Sequence, residues 1–180
     1  MDVTVTQWIN SAAAADPLLS AVAVALALYG IPAMVGFVAL QWFSRVDQLK
    51  LRHTAISAGL AFFLGLGFNQ LILLFVHRIR PYDVRVSHLI VAKSADWSFP
   101  SDHATAAAAI AALFLIKGVN GRGAFLAIVT LLIAWSRVFV GIHYAFDVAG
   151  GICVGVVAAM LVAVLYRKGS RFDQFATGIL

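Results

Sequence analysis

The chain has 180 residues, of which 62% are hydrophobic and only 12% charged. Its mean hydropathy of +0.94 lies far above that of a soluble domain and marks a single-domain integral membrane protein. The net charge of +5 does not indicate a nucleic-acid partner, because the basic residues stand scattered at segment ends rather than clustered on one face. The only cysteine, Cys153, sits in an apolar run, so no intrachain disulfide can form.

Residues 3–15 carry Trp8, Ile9 and a run of alanines that ends at Asp16-Pro17, which predicts a helix lying in the membrane interface. No Lys or Arg precedes Arg45, so the basic start of a cleaved signal peptide is not recognised. Residues 18–43 form the first predicted span, longer than the ~20 residues a bilayer requires, and Gly30 and Pro32 should kink it. A polar loop over 44–53, with His53 read as a solvated interface residue, leads to a second span over 54–76. Within it Asn69 and Gln70 should face other helices, and Gly59, Gly65 and Gly67 should permit close helix contact. Residues 77–101 are a long polar connection, a length that in a compact domain is usually functional. An Ala-rich helix over 102–116, short for a span, should begin below the membrane surface; 124–140 and 144–166 complete five spans. The predicted fold is all-α, a polytopic membrane helix bundle of five spans plus an N-terminal interfacial helix, with its core over roughly 18–166.

Arg45, Lys50, Arg52, Lys117, Arg122 and the 167–171 cluster fall on one side, opposed only by Asp47 and Asp173. By the positive-inside rule that side is cytoplasmic, so the N-terminus and the polar connection lie outside and the C-terminus inside. In a bacterium this is the inner, or plasma, membrane.

Three polar stretches then share the external face: Arg80-Pro81, Phe99-Pro100-Ser101-Asp102-His103, and Ser136 through Asp147. Ionisable groups beside long apolar segments default to function. Arg80 and Arg137 carry planar forks that bind phosphate oxygens in pairs. Ser101 can cap the helix that follows it, and that helix start offers N–H groups and a positive dipole end to an anion, with His103 in the same turn. His143 and Asp147, four residues apart, would share one helix face. The carboxylate could then hold one ring nitrogen while the other attacks phosphorus, His103 protonating the leaving oxygen. No cofactor and no metal is required: the loops lack Cys and Glu ligands and no close His pair suggests zinc.

These residues resemble the three motifs of the type 2 phosphatidic acid phosphatase superfamily, which includes the vanadium haloperoxidases. The phrases Ala95 to His103 and Val140-Gly141-Ile142-His143-Tyr144 look most like its bacitracin-resistance undecaprenyl-diphosphatase branch. The resemblance implies a phosphohistidine on His143, His103 as general acid, Asp147 as the orienting carboxylate, and Arg80, Ser101 and Arg137 as phosphate ligands. Two positions depart from the pattern. Leu73 stands where the family usually has Lys, so one phosphate contact is missing or supplied by His77, Arg78 or Lys93, with Arg78 favoured; Asp102 stands where Gly is usual, and should point away from the phosphate. The implied partners are membrane lipids and a polyprenyl diphosphate substrate, undecaprenyl diphosphate first. Alternatives are a phosphatase for phosphatidylglycerophosphate, phosphatidic acid or another lipid phosphate; a membrane protein that binds lipid headgroups without chemistry; and a metal-dependent hydrolase built on the same His and Asp residues.

Overall fold

The computed structural model describes residues 1–178, and among them every regular element is helical. The helices are α1 (Asp2–Asn10), α2 (Pro17–Leu40), α3 (Gln48–Leu73), α4 (Asp102–Ile116), α5 (Asn120–Phe139), α6 (Ala145–Leu165) and α7 (Arg171–Thr177). Local chemistry sets several of their boundaries. Asp16 accepts from Leu19 N at 3.0 Å and Pro17 occupies the first turn of α2. Gly118, at φ 69°, ends α4 in a left-handed conformation that glycine adopts without strain.

Among the described residues, four helices are long and apolar enough to cross a membrane: Pro17–Phe43, which extends α2 through a 3₁₀ turn, and α3, α5 and α6. α4 has 15 residues, about 22 Å of helix, short of a ~30 Å hydrocarbon core. The expected five spans thus become four long helices around one short one. α4 is the inner helix: Ala104 through Ala111, Leu113 and Phe114 are all buried. Phe114, Leu113 and Ile110 meet Leu126 and Ile133 of α5, Ala58 and Ala61 of α3 and Met34 of α2 in the main core. Large apolar side chains such as Phe63, Leu131 and Val164 are exposed around the outside, as suits a hydrocarbon environment rather than water.

α4 approaches α6 through glycines. A Cβ at Gly155 would stand 2.3 Å from Thr105 O and 2.8 Å from Ala109 N, and one at Gly151 would stand 2.6 Å from Ser101 O. Of the α3 glycines, only Gly65 makes a close approach, an added Cβ meeting Thr105 Cγ2 at 2.9 Å; Gly59 and Gly67 face open space. Asn69 is fully buried as expected, but Gln70 and Cys153 are exposed.

The two ends of the bundle differ. At one end Lys50 Nζ donates to Gly118 O at 3.0 Å, and His53, expected in solvent, is buried and paired with Asp173 of α7 at 2.7 Å. Folding α7 back over α3 is what removes His53 from water. At the other end residues 74–101 form no helix or strand. They are tied to their surroundings by Ser98 N to Arg78 O at 2.8 Å and Ile90 N to Val140 O at 3.2 Å. α1 docks here too. Asn10 Nδ2 donates to Phe139 O at 2.7 Å and to His88 O at 2.9 Å, and Asn10 Oδ1 accepts from His88 N at 2.6 Å. The helix expected to lie on the membrane is therefore plugged into the bundle by its polar side, while Trp8 remains 78% exposed.

Candidate active site

The end bearing α1 and residues 74–101 contains a cavity of about 160 Å³ lined by Arg80, Asp102, His103, Arg137 and His143, together with Leu73, Ser94, Asp96, Trp97 and Pro100. The three polar stretches, far apart in sequence, converge there. The recessed start of α4 delivers His103, the last turn of α5 delivers Arg137, and the α5–α6 turn delivers His143. Gly141 makes that turn at φ 82°, and a Cβ on it would stand 2.3 Å from His88 O. No other residue passes there without moving the loop.

His143 does not lie on a helix; it precedes α6, and Asp147 is in the first turn of α6. Its Nδ1 donates to the backbone oxygen of Ser98 at 2.8 Å, while the nearest Asp147 oxygen is 3.8 Å away, an electrostatic contact longer than a hydrogen bond. A carbonyl oxygen only accepts, so Nδ1 carries the proton and the lone pair is on Nε2, where it accepts from Arg80. Nε2 faces Arg80 Nη1 at 3.5 Å. Burial pushes the His143 imidazole down to about 4; Arg137 and Arg80 act in the same direction and Asp147 opposes them. The ring is therefore neutral near pH 7, the form a nucleophile needs.

Asp147 is fully buried and holds the loop rather than the ring. Its Oδ2 accepts from Ser98 Oγ at 2.5 Å and from Tyr144 N at 2.9 Å, and its Oδ1 accepts from Arg78 Nη1 at 2.6 Å. Ser98 is thus the link between carboxylate and imidazole. It lies just before Phe99-Pro100 and carried no role in the sequence reading, because a backbone acceptor leaves no trace in residue type.

The arginines divide. Arg80 donates to Asp96 O at 2.8 Å, Ile142 O at 3.0 Å, Ser94 Oγ at 3.0 Å and Trp97 O at 3.1 Å, so it braces the loop as well as lining the cavity. Arg137 is buried, donates to Ala27 O at 3.2 Å, and leaves Nε without a partner. Ser101 Oγ is likewise buried and unpartnered, and no side-chain cap bond forms at the start of α4. Arg137 lines the cavity, and its orphaned Nε is a donor that an anion there would satisfy, whereas Ser101 is not among the lining residues. Arg78, expected as a phosphate ligand, is not among the lining residues: it binds Asp147 and Asp2 and stacks on Tyr144, 3.8 Å from the ring centroid. Leu73 lines the cavity with no cation in its place. Asp102, expected to point away, also lines it; Asn69 Nδ2 donates to its carboxylate at 2.6 Å.

A family model described as PAP2 superfamily matches residues 53–171. Undecaprenyl-diphosphatase BcrC of Bacillus subtilis is 32% identical over 146 residues, covering 81% of this chain and 74% of that protein. Decaprenylphosphoryl-5-phosphoribose phosphatase of Mycobacterium tuberculosis is 30% identical over 168 residues, covering 89% of this chain and 88% of that protein. The crystal structure of LpxE from Aquifex aeolicus superposes with a TM-score of 0.69 at 22% identity, over 92% of this chain and 95% of that one.

Proposed function

The chain belongs to the PAP2 superfamily, and from that membership and the geometry of the site we propose that it hydrolyses undecaprenyl diphosphate to undecaprenyl phosphate through a phosphohistidine on His143. It is a multi-pass membrane lipid phosphatase. The observation that carries the reading is the Ser98 carbonyl on His143 Nδ1, which leaves the Nε2 lone pair in a cavity shared with Arg80, Arg137 and His103.

In the first step Nε2 attacks the terminal phosphorus, the Nε2–P bond forms and the bridging P–O bond breaks. Burial, Arg137 and His143 hold the His103 imidazole down, to about 3, in the empty site; it would take up a proton when the phosphate anion binds beside it and supply that proton to the leaving lipid phosphate oxygen. In the second step water attacks the phosphohistidine, gives its proton to His103, and inorganic phosphate leaves as Nε2 recovers its lone pair. Arg80, Arg137 and Ser101 would stabilise the phosphoryl oxygens. Eight of the 13 Lys and Arg residues stand at the opposite end of the bundle, which supports a cytoplasmic C-terminus and a site on the outer face, where a carrier lipid diphosphate is released.

The second reading is a lipid monophosphatase, favoured by the similarity to the phosphoribose phosphatase across most of the chain. The test is phosphate release by purified protein in detergent with chelator, from undecaprenyl diphosphate, phosphatidylglycerophosphate and phosphatidic acid. Release from the diphosphate well above the others is expected. Equal release from all three would leave a general lipid phosphatase, and activity restored only by a specific metal would replace the phosphohistidine scheme. Vanadate, which mimics pentacoordinate phosphorus, should inhibit competitively; full activity at millimolar vanadate would count against an arginine-lined phosphoryl site.

A further inference from the structure

We propose that Asp2 and Arg78 are positioning residues for this reaction, acting on His143 through the Asp147 carboxylate; the inference rests on the phosphohistidine reading above. Arg78 spans two carboxylates, with Nη1 on Asp147 Oδ1 at 2.6 Å and Nη2 on Asp2 Oδ2. Its Cζ also stands over the Tyr144 ring, 3.8 Å from the centroid, so three contacts fix its position.

Asp2 belongs to α1, outside the segment the family model matches. Its second oxygen accepts from Phe146 N at 3.0 Å, and Thr6 Oγ1 of the same helix accepts from Ala145 N at 3.0 Å. These are first-turn amides of α6, which have no partner within their own helix. α1 therefore caps α6 from outside, in the turn that carries Asp147.

Attack on phosphorus turns the neutral imidazole of His143 into a cationic phosphoimidazole. Asp147, 3.8 Å away, is the anion that stabilises it. Arg78 bonded to the same carboxylate fixes its direction but draws its charge away from the ring. Asp2 offsets that pull by engaging the other side of the guanidinium, leaving the order imidazole, carboxylate, guanidinium, carboxylate with alternating charge. This explains why an arginine two residues before Arg80 is spent on a buried carboxylate rather than on the cavity.

The test uses the full chain in detergent with farnesyl diphosphate, comparing D2N, D2E, R78Q and the D2N/R78Q pair with wild type and H143A. D2N and R78Q should each lower kcat by about tenfold, as loss of groups that orient catalytic residues does, with KM held within about twofold. D2E should recover most of the loss. D2N should cost little further once R78Q is present, since Asp2 acts through Arg78. Unchanged kcat in D2N, a loss carried by KM, or losses that multiply fully in the pair would each overturn the proposal. If R78Q does not yield folded protein, D2N against D2E decides alone, and equal kcat in the two overturns it. A silent wild type would sink the phosphatase reading itself. An active wild type with H143A inactive and D2N unchanged sinks only the positioning role.

Discussion

His143→Ala is expected to abolish phosphate release, a fall of about 10,000-fold or more, the scale on which a missing nucleophile acts. The readout is single-turnover release from a diphosphate lipid, with a thermal melt to show that the variant is folded. Turnover retained at even a few per cent would exclude His143 as the nucleophile. The structure also predicts a smaller effect at the neighbouring carboxylate. In a triad where the carboxylate alone sets the histidine tautomer, Asp→Asn flips the ring and costs ~10⁴ in kcat. Here the Ser98 carbonyl holds Nδ1 at 2.8 Å and Asp147 stands back at 3.8 Å. Asp147→Asn should therefore keep the tautomer but lose the charge and part of the set of bonds accepted from Ser98, Tyr144 and Arg78, about 10–100-fold. A loss as deep as that of His143→Ala would mean that Asp147, and not Ser98, governs the ring.

The largest effect on the fold is expected at Gly155. Valine there places Cβ 2.3 Å from Thr105 O and 2.8 Å from Ala109 N, both backbone atoms of α4 that no rotamer change relieves. α4 and α6 must separate, at a cost of about 1–3 kcal/mol or more. Because α4 also carries His103 and begins directly after Ser101, activity should fall with stability. The comparison is Gly67→Ala, where nothing lies within 4 Å; alanine should leave the melt unchanged or raise it, since helical glycine costs up to about 1 kcal/mol against alanine. The two variants are measured by thermal unfolding in detergent. Equal melting temperatures would mean that the α4–α6 contact is looser than the structure has it.

Both glycines look alike in the sequence, each in an apolar helical run, and only the approach of a second backbone separates them. The same holds for the polar residues. His53 and His143 are both single histidines beside apolar segments, yet one is buried against Asp173 in the α7 fold-back and the other faces a cavity. Asn69 was legible as inward-facing; that it donates to Asp102 and so turns that carboxylate along the cavity wall was not. Arg78 is one of several cations near Leu73 in sequence, and only the tertiary structure sets it on Asp147 and Asp2.

The sequence by itself determined what local chemistry and spacing encode. An apolar content of 62% required helices that satisfy their own backbone in lipid. The polar interruptions marked where those helices end, and the residue types Arg, Ser, His and Asp at their spacings resembled the motifs of a lipid-phosphatase family. The tertiary structure decided the matters that turn on ångström distances between remote segments. It sets α1 against the start of α6, recesses the short α4 among four long helices, places a backbone carbonyl between His143 and Asp147, and shares Arg78 between two aspartates. Hydropathy and spacing are properties of one stretch of chain. Hydrogen-bond partners are chosen by which groups lie within about 3 Å once the helices have packed, and nothing in a single stretch carries that information.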